Sequence, residues 1–254
     1  MGLFGTDKTV FEKRLEGLVV QVIDRGDKRM LMFGNQIVQS AIFKNSPGGL
    51  VLDYTQAMVT GLLFPRRLHS FLHLGLGGGS LASFFHHHLP GIRQRVVELS
   101  PEVVQVAREY FHLPDSSRLE VIQGDGAQYL RMDTARYDLV FLDAFNAEGA
   151  DSGLNNAEVY RLIREHILPD GWLVLNVWGS DKANMFKVQQ ELIGIFPQIY
   201  KLPVRVESNV IFMAGAGDRK ASTSFMRRRA RYLNRSMNIN LEKQLGNMIP
   251  IRVR

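Results

Sequence analysis

The 254-residue chain contains no cysteine, which excludes disulfides, thiolate metal sites and cysteine nucleophiles. Aromatic residues make up only 9%, and no run reaches the ~18 apolar residues that a membrane-spanning helix requires. The first twenty residues lack a basic start followed by a long apolar stretch and a small-residue cleavage site, so no secretory signal is expected. There is no internal repeat and no low-complexity tract. Neither a G-x-S-x-G elbow nor a P-loop is found, which argues against a serine hydrolase or NTPase of standard type. What is present is an ordinary globular composition, 45% hydrophobic and 22% charged, able to bury a full core and unlike a disordered or fibrous chain. A soluble cytoplasmic protein is the expectation.

The net charge of +6 first suggests an anionic partner. Its distribution argues otherwise: residues 215–254 carry +8, so residues 1–214 carry −2. The basic block centres on Arg227, Arg228, Arg229, Arg231 and Arg235, interleaved with Phe225, Met226, Tyr232 and Leu233 at helical spacing. This reads as a helix that docks an apolar stripe and solvates its arginines, in preference to an arm for nucleic acid or lipid.

Turn signals and short apolar runs up to about Pro65 read as a small β-rich lobe, with strands over 17–24, 29–33 and 37–43 and a helix after Tyr54. From Ser70 the texture changes to alternating strand and helix. Strands are expected at 71–74, 94–98, 119–123, 138–143 and 172–177, and helices near 81–89, 103–111 and 157–168. Two further strands, 198–202 and 210–214, are too close in sequence for a crossover helix and are therefore antiparallel to each other. This is the plan of a class I methyltransferase-like, Rossmann-like α/β sheet. The expected organisation is a lobe over 1–65, a nucleoside-binding domain over 66–217 and a basic helical tail over 218–254.

The segment FLHLGLGGGS runs an apolar strand into Gly75, Gly77, Gly78 and Gly79, with Ser80 opening a helix. Glycines at such a turn let backbone approach a ligand, and the helix start offers partial positive charge. The dinucleotide fingerprint would need a small residue, Gly or Ala, where Ser80 stands, whereas G-x-G-x-G fits Gly75, Gly77 and Gly79. Glu98 closes the next strand, where a carboxylate can accept from both ribose hydroxyls. Asp125, followed by Gly126, ends the third, placed to accept from an adenine amino group. Asp143 ends the fourth. Three acids at the carboxyl ends of successive strands beside a glycine loop mark the crevice where open α/β sheets bind ligands.

The stretches LGLGGGSLA, VVELSPEVVQVAREYF, LEVIQGDGAQYL and YDLVFLDAFNAEG, within about Leu50 to Gly179, resemble the spermidine synthase family of aminopropyltransferases, in particular its bacterial spermidine-synthase-like members. GNQIVQS and LDYTQAM agree more loosely. The resemblance implies a donor that is S-adenosylmethionine or its decarboxylated form, held by the glycine loop with Ser80, by Glu98 at the ribose, and by Asp125 and Gly126 at the adenine. It further implies Asp143 as the catalytic aspartate, Tyr54 as a catalytic-site tyrosine, a small-molecule amine acceptor near Asn146 and Glu148, no metal, and a homodimer. The reaction implied is attack of an amine on the carbon beside the sulfonium, with Asp143 orienting the amine and taking its proton.

Three departures from the family's pattern point one way. Ser80 stands where the family has an aspartate that pairs with the donor's aminopropyl ammonium. Asn146 replaces an acid that binds the diamine, and Arg205 falls near a family tyrosine. Selectivity for the decarboxylated donor is therefore expected to be relaxed or lost, while Glu148 or Asp151 can stand in for the missing diamine acid. Two alternatives remain: a methyltransferase using intact S-adenosylmethionine, and a non-catalytic ligand-binding or interaction protein on the same fold. His86, His87 and His88 point ~100° apart on a helix and cannot converge on one ion. His69, His73, His112 and His166 lack metal-ligand spacing. Trp172 and Trp178 read as packing residues, and Asn176 either faces the pocket or serves a loop hydrogen bond.

Overall fold

A computed structural model describes residues 7–253, apart from 16–17, 35–36, 47, 145–152, 205, 207 and 219, and gives only the backbone of Leu15 and Leu18. The chain opens with β1 (Lys8–Leu15), β2 (Leu18–Arg25), β3 (Lys28–Phe33) and β4 (Ile37–Phe43), paired in sequence order as an antiparallel meander. Then come α1 (Asp53–Met58), a 3-10 turn over Val59–Leu63, β5 (Ser70–Leu74), α2 (Ser80–His88), β6 (Arg93–Glu98), α3 (Pro101–Tyr110), β7 (Leu119–Gln123), α4 (Gly126–Met132) and β8 (Tyr137–Leu142). The remainder is α5 (Ala157–His166), β9 (Ile167–Trp178), α6 (Lys182–Ile193), β10 (Gln198–Pro203), β11 (Asn209–Gly215), α7 (Thr223–Met237), α8 (Leu241–Asn247) and β12 (Ile249–Ile251).

The large sheet has the order β12-β10-β11-β9-β8-β5-β6-β7. Strands β5 to β9 are parallel, and β10 and β11 form the expected antiparallel pair. All six residues of β8 are buried, as a strand covered on both faces must be. The chain winds outward from β5 through β6 to β7, then returns to place β8 on the other side of β5. The carboxyl ends of β5 and β8 therefore flank the topological switch point, where a crevice opens. The β-rich lobe leans on the same end: Val20, Val22, Leu31, Phe33 and Ile42 pack with Val103, Val106 and Phe111 of α3.

Several elements went unread in the sequence. Strand β1 carries mostly exposed side chains, so no buried face announced it. Helix α4 is seven residues long, with only Gly126 and Leu130 buried, and α6 buries only Val188 and Leu192 among its twelve. Strand β9 begins at Ile167, five residues earlier than expected, because it crosses the Pro169–Gly171 turn signal and pairs Ile167 with Tyr137 before its register shifts.

The basic segment is helical and docks as expected, through Met226, Ala230, Leu233 and Met237. One member of the expected stripe is corrected: Tyr232 is 73% exposed, because the buried positions follow 226, 230, 233, 237 and leave 232 on the outer side. Arg229 is partly buried instead, donating to the Pro65 carbonyl and lying over the Phe225 ring. The segment also adds β12 to the edge of the large sheet, antiparallel to β10.

Candidate functional site

Gly75, the first residue after β5, has φ +98°, and a Cβ there would lie 2.3 Å from the Asp143 carbonyl oxygen. Only glycine tolerates both the left-handed backbone and that approach. The Gly75 N–H donates to the Val97 carbonyl at 2.9 Å, and the Asp143 N–H donates to the Leu74 carbonyl at 3.0 Å. The ends of β5, β6 and β8 are thus tied together by backbone, and Asp143 is set directly against the glycine loop. Gly79, with φ +73°, is the N-cap of α2 and faces Leu113. It shapes the turn without lining the cavity beside it.

That cavity has a volume of about 320 Å³ and is lined by Gly75, Gly77, Ser80, Glu98, Asp125, Gly126, Asp143 and Tyr54 among others. It falls in the range of small-molecule sites. Its acidic side chains, Glu98, Asp125 and Asp143, come from three strand ends, and no lysine or arginine among the described residues lines it. Such a cavity favours a cation. Apolar walls come from Phe33, Leu76, Val97, Val103, Leu154 and the 67% exposed Leu99 at the rim.

Each acid is held in its own way. The Glu98 carboxylate accepts from the Leu76 N–H at one oxygen and the Ser100 N–H at the other, both at 2.9 Å. Both oxygens are fixed, and each keeps a lone pair for a further donor. Asp125 caps α4, its Oδ1 accepting from the Gln128 N–H at 2.7 Å. Asp143 accepts at Oδ1 from Asn176 Nδ2 at 2.8 Å and is hydrogen-bonded to Tyr54. Burial pushes its carboxyl up from 3.8 to about 6, against the opposing pull of those two hydrogen bonds. The Tyr54 hydroxyl also reaches the Gln39 carbonyl at 3.1 Å.

At the loop end of the cavity the Ser80 and Ser40 hydroxyls meet at 3.3 Å, both residues buried. Gln39 also lines it, and its buried Nε2 has no hydrogen-bond partner among the described residues. Fully buried His73 forms part of the wall, bonded to Gln94 at 3.0 Å and stacked on Phe141. Burial holds its imidazole down at about 4, hence neutral near pH 7.

A family model described as the spermine/spermidine synthase domain matches residues 20–215. The chain belongs to the spermine/spermidine synthase family. It is 30% identical over 232 residues to a polyamine aminopropyltransferase of Neisseria meningitidis, covering 90% of this chain and 88% of that one. Among solved structures, a spermidine synthase in complex with the transition-state analogue AdoDATO superposes with a TM-score of 0.75 at 15% identity, covering 94% of this chain and 85% of that one. Human methyltransferase-like protein 13 in complex with SAH gives 0.67 at 24% identity, covering 74% and 93%. Both likenesses show that the fold is methyltransferase-like.

Within that family fold, the residues singled out in the sequence converge: Tyr54, Gly75, Gly77, Ser80, Glu98, Asp125, Gly126 and Asp143 line one cavity. Asn146, Glu148, Asp151 and Arg205 lie outside the described residues. The histidine run disperses to separate neighbours: His86 faces Arg118, His87 bonds the Ser83 carbonyl and His88 reaches the Gly48 carbonyl. Trp172 packs, stacked on Phe64 with ring centroids 4.1 Å apart. Asn176 faces Asp143 rather than a loop. Sequence reasoning did not single out Gln39 and Ser40 within the loosely matching GNQIVQS stretch, nor Asn209: the first two reach the cavity because the lobe approaches α2, and the third reaches Asn176 through the pairing of β11 with β9.

Proposed function

We propose that the protein is a spermidine-synthase-like transferase that binds an adenosyl sulfonium and transfers its aminopropyl group to a small-molecule amine. The observation that carries this reading is the cavity at the switch point, with three carboxylates and no described lysine or arginine. A sulfonium and an amine are both cations before reaction, and this wall attracts both. Membership of the family and the aminopropyltransferase relative support the reaction class.

In this reading the two anchored oxygens of Glu98 accept from the ribose hydroxyls. The free oxygen of Asp125 accepts from the adenine amino group, and Gly126 keeps the base edge close. Gly75 and Gly77 leave room for the sugar and sulfur. Asp143 takes a proton from the acceptor ammonium, so that the nitrogen lone pair forms the new N–C bond as the C–S bond breaks. The bonding pair passes to sulfur and methylthioadenosine leaves. A carboxyl titrating at about 6 is a stronger base than an ordinary aspartate yet still ionised above neutrality, which suits general-base work. Tyr54 orients that carboxylate, and Asn146 and Glu148 belong to the acceptor side.

The donor's tail meets the loop end, where Ser80, Ser40 and Gln39 are neutral groups able to donate. A carboxylate is accommodated there and an ammonium finds no charged partner, so both intact and decarboxylated S-adenosylmethionine are accepted. The same neutral end favours a second reading, methyl transfer from the intact donor. Incubation with each donor and with putrescine or spermidine, followed by mass spectrometry, separates them. Methylthioadenosine with an aminopropylated amine supports the first, and adenosylhomocysteine supports the second. Neither product across a broad acceptor panel leaves a ligand-binding protein. Calorimetry showing strong preference for the decarboxylated over the intact donor would overturn the argument from the neutral tail end.

A further inference from the structure

Behind Asp143 stands a polar pair that the reaction above does not use. Asn176 lies in β9 and Asn209 opens β11, and both are buried. The two strands are antiparallel neighbours, with Asn209 opposite Trp178 and Ile211 opposite Asn176, so the two amides are diagonal neighbours on one face. Asn209 Nδ2 donates to Asn176 Oδ1 at 2.9 Å, and Asn176 Nδ2 donates to Asp143 Oδ1 at 2.8 Å.

A primary amide has one donating end and one accepting end. A donor from Asn209 engages the accepting end of Asn176, which turns the donating end to Asp143. Without Asn209, Asn176 could present either end to the carboxyl.

We infer that Asn209 is a positioning residue of the transferase: acting through Asn176, it keeps a donor against Asp143 Oδ1 and so holds the carboxylate ionised and aimed into the cavity. This rests on the reading of Asp143 as the proton acceptor. Among the described residues, the other titratable groups lining the cavity are Tyr54 from α1, His73 from β5, Glu98 from β6 and Asp125 at the start of α4. None of these supplies positive charge to favour ionisation of Asp143. The amide relay and Tyr54 are the described groups that favour it.

Asn209→Asp and Asn209→Ala test the inference together: the first keeps the shape and replaces a donor by an acceptor but adds a like charge, and the second removes the donor without charge. In Asn209→Asp, Asn176 turns its NH₂ toward residue 209 and its oxygen toward Asp143. The acid limb of the kcat/KM profile should move up by about one unit, so that turnover falls about tenfold near pH 5 and only about twofold near pH 7, with donor KM within about twofold of the parent. Asn209→Ala, which removes the donor without adding an acceptor, should give a smaller change in the same direction. The Asp143 carboxyl is also followed directly by carbon NMR, its signal assigned by loss in Asp143→Asn. An upward-shifted titration in the uncharged Asn209→Ala, or in Asn209→Leu should the first not fold, supports the relay even if no donor is turned over, in which case the transferase reading alone fails; a shift in Asn209→Asp alone is the direct effect of the added carboxylate and overturns the relay. An unmoved carboxyl titration in a folded variant, or a rise in KM with kcat unchanged, overturns it.

Discussion

Replacing Asp143 by asparagine should make the protein more stable at high pH while abolishing transfer. The carboxyl titrates at about 6 in the fold against an ordinary 3.8. About two units correspond to roughly 3 kcal/mol. The sign follows from linkage. Below pH 3.8 the group is protonated whether folded or unfolded, and its contribution to stability is fully present. Between 3.8 and 6 the unfolded chain ionises first, and stability is progressively lost. Above 6 the full cost of a buried carboxylate is carried by the native state. Asparagine is uncharged at every pH, its oxygen can accept from Asn176, and its NH₂ can donate to the Tyr54 oxygen. Urea melts of both proteins at pH 4 and pH 8 measure the effect. The expected gain of the variant over the parent is close to zero at pH 4 and about 1–3 kcal/mol at pH 8, with no product formed at either. An equal difference at the two pH values, or a variant less stable at pH 8, would refute the argument that burial raises this carboxyl.

Other outcomes follow from the same geometry. Gly75→Ala should cost about 1–3 kcal/mol from the left-handed backbone alone and lower kcat more than donor affinity, because a new Cβ displaces the Asp143 carbonyl; an unchanged melt and kcat would contradict this. Glu98→Gln should weaken methylthioadenosine binding about tenfold or more by calorimetry, since it removes a charged acceptor; unaltered affinity would separate Glu98 from the sugar. Arg229→Ala should lower stability by about 1–3 kcal/mol through loss of its Pro65 and Phe225 contacts, whereas exposed Arg227→Ala should stay within about 0.5 kcal/mol. Equal losses would mean that the helix docks otherwise.

The alternation of strand and helix from Ser70 onward was legible because buried parallel strands read as apolar runs. Three acids and a glycine loop at strand ends were legible for the related reason that ligands bind where those ends meet. What remained hidden shares a cause. Strand β1 and helices α4 and α6 bury too few side chains to leave a period, and β12 is three residues long. Tyr232 was misplaced because adjacent helix positions diverge by ~100°, so it could not share the face of Leu233. Asn209 and Ser40 acquire their roles only through pairing: one needs the register of β11 on β9, the other the approach of the lobe to Ser80. Neither relation is written in nearby sequence.

The three residues of β12 carry a consequence out of proportion to their number. They pair with Ile199, Tyr200 and Lys201 of β10, which would otherwise present an open row of backbone donors and acceptors, while α8 packs against the same strand. A chain cut after Gly217 would lose both at once and bare that row. Such a border invites strands from other molecules, and the basic segment leaves in its place, as a selvedge, an outer strand of only three residues with Pro250, which has no N–H to offer, at its centre.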